Sequence, residues 1–186
     1  MKIYKLIHYS DSFLSVKLSN SLLLEKIVDG FYNEGKPFNQ DFGKYEWQKN
    51  EGETLCDFPF ISGNIPLLSS KAFELLKPLI NKSKVEIIPL DIESSTYYLL
   101  HFLETYEGIL NTKSSKIEYF KDGTIQSIDK YVFLPKVEET TPFFMISELK
   151  TFLFANETVK DIIQKNNLTG LTFEECEIKK KYFFLF

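Results

Sequence analysis

Apolar residues recur along this chain in three ways, and each predicts a different kind of element. Helical spacing comes first. After Ser21, Leu23, Leu24, Ile27, Val28 and Phe31 return every three or four residues and predict one buried helical face. A second helix is predicted from Ser69 or Ser70, with Ala72, Phe73, Leu75, Leu76, Leu79 and Ile80 as its apolar positions. Pro78 is expected to bend or end it, because the ring removes a donor and clashes one turn back. A third helix follows Asn156, a capping residue type, with Val159, Ile162 and Ile163 on one face and an end near Asn166-Asn167.

Short apolar or alternating runs come second. Lys2 to Tyr9, Phe13 to Leu18 and Val85 to Leu90 read as strands, the last closed by Pro89. Tyr97 to Leu103, YYLLHFL, is almost continuously apolar and suits a central strand buried on both faces. Lys116 to Phe120 and Thr124 to Phe133 flank Asp122-Gly123, a pair that supplies the positive φ angles of a tight hairpin. Phe143 to Ile146 and Thr151 to Phe154 are further strands. A turn at Gly170 opens one at Leu171 to Phe173, and the tail EIKKKYFFLF could be a last one. Hairpins with scattered helices predict an α+β fold, with a mainly antiparallel or mixed sheet and a few packed helices.

Residues 30 to 55 have no period at all. This excursion holds four glycines, one proline and six aromatics, with room for one short strand. The expected organisation is therefore a regular body at 57–186 and an N-terminal region at 1–56 packed on it, together one compact domain.

Charge changes the picture mainly within the excursion. From Asp29 to Asp57 there are seven acids against three lysines. That excess equals the net charge of −4 for all 186 residues, so the rest of the chain is neutral. Acids interleaved with aromatics suit a protein-binding surface, in which the rings anchor and the carboxylates steer a basic partner. Tyr32, Glu34, Phe38, Asp41, Phe42, Tyr45, Glu46 and Trp47 are its candidate partner-binding residues. The competing reading is a long loop whose aromatics pack back onto the core.

Composition narrows the rest. All 22 basic residues are lysine, which removes bidentate guanidinium clamps on phosphate. An acidic balance lacks the footprint of a nucleic-acid binder. Cys56 and Cys176 have no metal-type spacing and read as two lone thiols. With no apolar run of spanning or signal-peptide length, a cytoplasmic protein with no membrane partner is expected.

Candidate chemistry is thin. No nucleophile elbow, phosphate-binding loop, zinc helix or dinucleotide motif is present. No cofactor or metal is expected. His101, inside YYLLHFL, reads as a core histidine satisfied by one hydrogen bond. Glu104 and Glu107 end that strand and could form an acid–base pair, so a small hydrolase using Glu104, Glu107 and His101 is one alternative. A small-ligand or glycan-binding module using the surplus aromatics is another. Glu174, Glu175 and Glu177 read as a solvated edge.

From Asp57 onward the order of short motifs resembles the bacterial polymorphic-toxin immunity family numbered eleven. The pieces are DFPF (57–60), IPLLSSKAFELLKPLI (65–80), EIIPL (86–90), YYLLHFLETYEGIL (97–110), KYVFLP (130–135), FFMISE (143–148) and FLFANETVKDIIQKNNLTGLTF (152–173). After YYLL the chain departs from the family pattern, which would place an acidic pair near the end of that run; here Glu107 is followed by Gly108-Ile109-Leu110-Asn111. The resemblance implies an immunity protein that binds a cognate toxin domain and blocks it by occlusion, without catalysis and with no catalytic residues to carry over. It also implies that the poorly matching excursion is the toxin-binding surface.

Overall fold

The computed structural model describes residues 1–8, 15–18, 21–31, 35–38, 46–49, 56–61 and 65–179. In chain order the elements are β1 (Ile3–His8), β2 (Ser15–Leu18), α1 (Ser21–Asp29), β3 (Trp47–Lys49), β4 (Phe60–Ile61), β5 (Ile65–Ser69) and α2 (Ser70–Leu76). Then follow β6 (Val85–Ile92), β7 (Ser95–Phe102), β8 (Lys116–Tyr119), β9 (Ile125–Lys130), β10 (Val132–Phe133), β11 (Phe143–Phe144), β12 (Phe154–Asn156), α3 (Glu157–Lys165) and β13 (Leu171–Ile178). The fold is α+β, with mixed and antiparallel sheets.

Six strands close into a barrel in the order β2-β3-β6-β7-β5-β4. Strand alternation puts every second side chain inside. Register makes the inner face continuous: Val16 stands opposite Ile61, Ile61 opposite Ile65, Leu67 opposite Leu99, Leu99 opposite Ile88, Ile92 opposite Trp47, and Trp47 opposite Leu18. All of these are buried. Closure removes the open edges that a flat sheet would expose. Outside the barrel, α2 packs on β5 and β7, and Phe73 stacks on Tyr98 with ring centroids 4.0 Å apart.

The second sheet is ordered β10-β13-β1-β12-β11. On one face Leu6, Phe143 and Ala155 join Val159 and Ile163 of α3 in the core shared with the barrel. The other face builds a separate aromatic core, in which Phe154 meets Phe133 edge-on at 5.3 Å and stacks on Phe144 at 5.5 Å. The hairpin β8–β9 forms a two-stranded ribbon of its own, resting on this second core through Ile117, Ile125 and Ile128.

Several expectations hold. The Asn156 side chain accepts from the Val159 amide at 3.2 Å and caps α3, which ends at Asn166. Pro78 ends α2 in a 3₁₀ turn at Lys77–Leu79. Gly123 takes φ 86° in the hairpin turn, but Asp122 does not share the positive φ expected of the pair, and the loop spans 120–124.

Others need correction. β6 is not closed by Pro89 but runs on to Ile92. Among the described residues β3 pairs with β6 only at Ile92, so no described strand pairs with β6 on that side at Pro89. β12 begins only at Phe154, so Phe152 and Leu153 precede it. β13 does not stop at Phe173 but continues to Ile178 and carries all three glutamates on the strand itself. The possible tail strand lies at 180–186, outside the described residues. The first 56 residues supply the middle strand of the second sheet and two strands of the barrel. Among the described residues no helix is long and apolar enough to cross a membrane.

Candidate functional site

Of the eight candidate partner-binding residues, Tyr32, Glu34, Asp41, Phe42 and Tyr45 lie outside the described residues. The other three divide by strand alternation and packing. Glu46 is exposed. Trp47 is 3% exposed and points into the barrel, so its ring is a core residue rather than a surface anchor. Its neighbours Glu46 and Gln48 are both exposed, which is the period-2 signature of a half-buried strand. Phe38 is half-buried and turns inward: its ring lies 4.2 Å from that of His101, and its amide donates to Glu86 Oε2 at 2.9 Å.

His101 is completely buried and bonded to Glu86, with 2.9 Å between Nδ1 and Oε2. Nε2 has no partner among the described residues. The alternative trio is not assembled. Glu104 bonds Lys84 at 2.8 Å, Glu107 is exposed, and neither replaces Glu86 beside the imidazole.

A second polar cluster joins two motifs that are 112 residues apart. Asp57 Oδ1 accepts from Ser69 Oγ at 2.7 Å, and Oδ2 accepts from the Thr169 amide at 3.0 Å. Ser69 Oγ in turn accepts from the Ala72 amide and caps α2. The Phe58 amide donates to Thr169 O at 3.1 Å. A cleft of about 390 Å³ opens here, lined by Cys56, Asp57, Ser69, Ser70, Lys71, Ser95, Thr96 and Tyr97. Burial, with the Cys56, Asp57 and Glu93 charges adding to it, pushes the Tyr97 phenol up to about 12.

The glutamates of β13 are paired rather than merely solvated. Glu174 meets Lys5 at 2.7 Å, Glu175 meets Lys2 at 2.9 Å and Glu177 meets Lys130 at 2.7 Å. Lys5 is nearly buried, its ammonium 4.9 Å from the Phe152 ring centroid and 5.3 Å from that of Tyr131. Cys176 and Cys56 are both buried and are not joined in a disulfide. Burial raises the Cys176 thiol to about 12, which keeps it from acting as a thiolate. Among the described residues no group of three or more His, Cys, Asp or Glu could hold a metal ion.

One surface feature was missed by sequence reasoning. Tyr119 and Phe120, adjacent at the tip of the β8–β9 hairpin, are 52% and 53% exposed. The tip is built firmly: Phe120 N donates to Thr124 O at 2.8 Å, and Asp122 Oδ1 accepts from the amide and hydroxyl of Thr124 at 2.9 and 2.7 Å. Lys116 and Asp129 pair at 2.6 Å across the base. The available signal was an aromatic pair set directly against an Asp-Gly turn, where polar residues are usual.

Comparison with known proteins adds no family to this geometry: no family model matches the chain, and no curated protein matches it.

Proposed function

We propose that this protein is an immunity protein, a non-catalytic binder that occludes a cognate bacterial toxin domain. The carrying observation is the hairpin tip, where Tyr119 and Phe120 stand in solvent on a preformed turn. Large aromatics held rigidly at the surface supply contact area at little ordering cost, which is the character of an interface anchor. The motif resemblance supplies the kind of partner. The acidic excursion, with Glu46 exposed, supplies charge for steering toward a basic face.

The test is to measure binding to the toxin domain encoded beside this protein. The Tyr119→Ala, Phe120→Ala double variant is expected to weaken it at least tenfold through faster dissociation, because anchor truncations cost about 1–2 kcal/mol or more each. Glu46→Lys should slow association and reduce its salt dependence. Failure of the unaltered protein to bind that domain would sink the functional reading. Unchanged affinity in the double variant would remove the tip from the interface.

A further inference from the structure

Glu86 and His101 stand opposite each other two residues beyond the apolar Ile88–Leu99 pair of the barrel. An imidazole withdrawn from water at that position is costly unless its bonds are satisfied, and the carboxylate beside it is only partly exposed. The partners they find explain their placement. One oxygen, Glu86 Oε2, accepts from both His101 Nδ1 and the Phe38 amide, each at 2.9 Å. The Phe38 ring covers the imidazole at 4.2 Å, and Phe31 approaches it at 5.7 Å. A Cβ at Gly30 would overlap the Phe38 ring, so the glycine leaves the ring its seat.

We propose that Glu86 and His101 form a receptor for Phe38 that latches residues 35–38 as a strap over one end of the barrel, and that this strap opens without unfolding the barrel. Glu86 is the positioning residue. Its oxygen holds the strap's backbone and fixes the imidazole on which the strap's ring rests. β6 and β7 are bonded to each other along eight residue pairs, none of which involves the strap, so their ladder does not depend on its being seated. Phe38 belongs to the acidic excursion, so under the binding reading above Glu86 also sets where that segment meets the barrel. The test uses no partner, and its outcome stands apart from that reading.

His101 and His8 are the only histidines, so accessibility of each imidazole can be followed by its rate of modification with diethyl pyrocarbonate, mapped by mass spectrometry. Amide exchange at Phe38 gives a second readout. Glu86→Ala is expected to speed both His101 modification and Phe38 exchange by about tenfold to a hundredfold, the worth of a hydrogen bond to a charged acceptor. Amides of Ile88 and Leu99 should keep their unaltered rates. Glu86→Gln, whose amide oxygen still accepts, should restore most of the protection. Phe38→Ala leaves the Glu86–His101 pair intact and should expose His101 on its own. Unchanged rates at His101 and Phe38 in Glu86→Ala overturn the proposal. So does a rise there that Ile88 and Leu99 match, because the strap would then open only with the barrel.

Discussion

Replacing Gly170 with alanine probes how tightly the Thr169 turn is seated against Asp57 and Phe58. The structure supplies both costs. Gly170 has φ 102°, where an L side chain is strained by about 1–2 kcal/mol. The new Cβ would also stand 2.9 Å from Phe58 O and 2.8 Å from Cys56 Sγ. Phe58 cannot move aside freely, because its amide is bonded to Thr169 O and the adjacent Asp57 is held by Ser69 and Thr169. Relieving such a collision by shifting backbone costs about 1–3 kcal/mol. Alanine returns about 0.4–1 kcal/mol by stiffening the unfolded chain. The net loss is about 2–4 kcal/mol, or roughly 5–15 °C in Tm for a domain of this size. Gly108→Ala is the control, since Gly108 has φ 63° but nothing within 4 Å of its would-be Cβ, and it should lose only about 1 kcal/mol. Urea unfolding followed by emission of Trp47, the single tryptophan, measures both variants. If the two lose the same stability to within about 0.5 kcal/mol, the collision is not real and the turn is not seated as described.

Three further outcomes are expected. Burial lowers His8 to about 4 from 6.5, so its neutral form contributes stability that is complete above pH 6.5 and is lost as pH falls toward 4. Between pH 7 and 5 the unaltered protein should therefore lose about 1–2 kcal/mol more than His8→Gln in urea titrations, and equal losses would refute this. The Tyr131 hydroxyl is buried with no partner among the described residues, so Tyr131→Phe, which keeps the ring over Lys5, should be neutral or stabilising by up to about 2 kcal/mol; a loss above about 1 kcal/mol would reveal a bond the hydroxyl makes. Asn156→Ala removes the cap of α3 and should cost about 1 kcal/mol in thermal or urea unfolding, whereas Asn156→Ser should recover most of it.

Local elements were legible because local chemistry decides them. Asn156 caps α3, Pro78 ends α2, and Asp122-Gly123 turns the hairpin, each through bonds made within a few residues. Closure of the barrel was not legible. It depends on the parallel pairs β2–β4 and β3–β6, in which Val16 meets Ile61 and Trp47 meets Ile92, and no spacing of residues announces such meetings. The same limit explains Trp47. An aromatic among acids can anchor a partner or fill a core, and only the pairing with Ile92 and Leu18 decides between them. His101 was readable as a core histidine bonded once, but its partner Glu86 could not be named without the β6–β7 register. In sequence the β13 glutamates show only an acidic edge, because their lysines at 2, 5 and 130 are remote from them. Asp57 and Thr169, parts of two separate motifs in the resemblance, prove to be bonded to each other.

The position of β1 sets the order in which the molecule can be made. Ile3–His8 is the middle strand of its sheet, and both its neighbours come from the far end of the chain: Ile3 pairs with Asn156 on one side and Cys176 on the other. During synthesis this strand must wait while about 150 residues are added, on the order of 8–30 s at ~5–20 residues per second. Throughout that interval its apolar Ile3, Leu6 and Ile7 and both its edges have no native cover. Barrel strands β2 to β7 are all made before β12 and β13, so the barrel can form while β1 still waits. This sheet closes only when β12 and β13 return to β1, and it is there that a chaperone or a self-pairing edge would compete with the native fold.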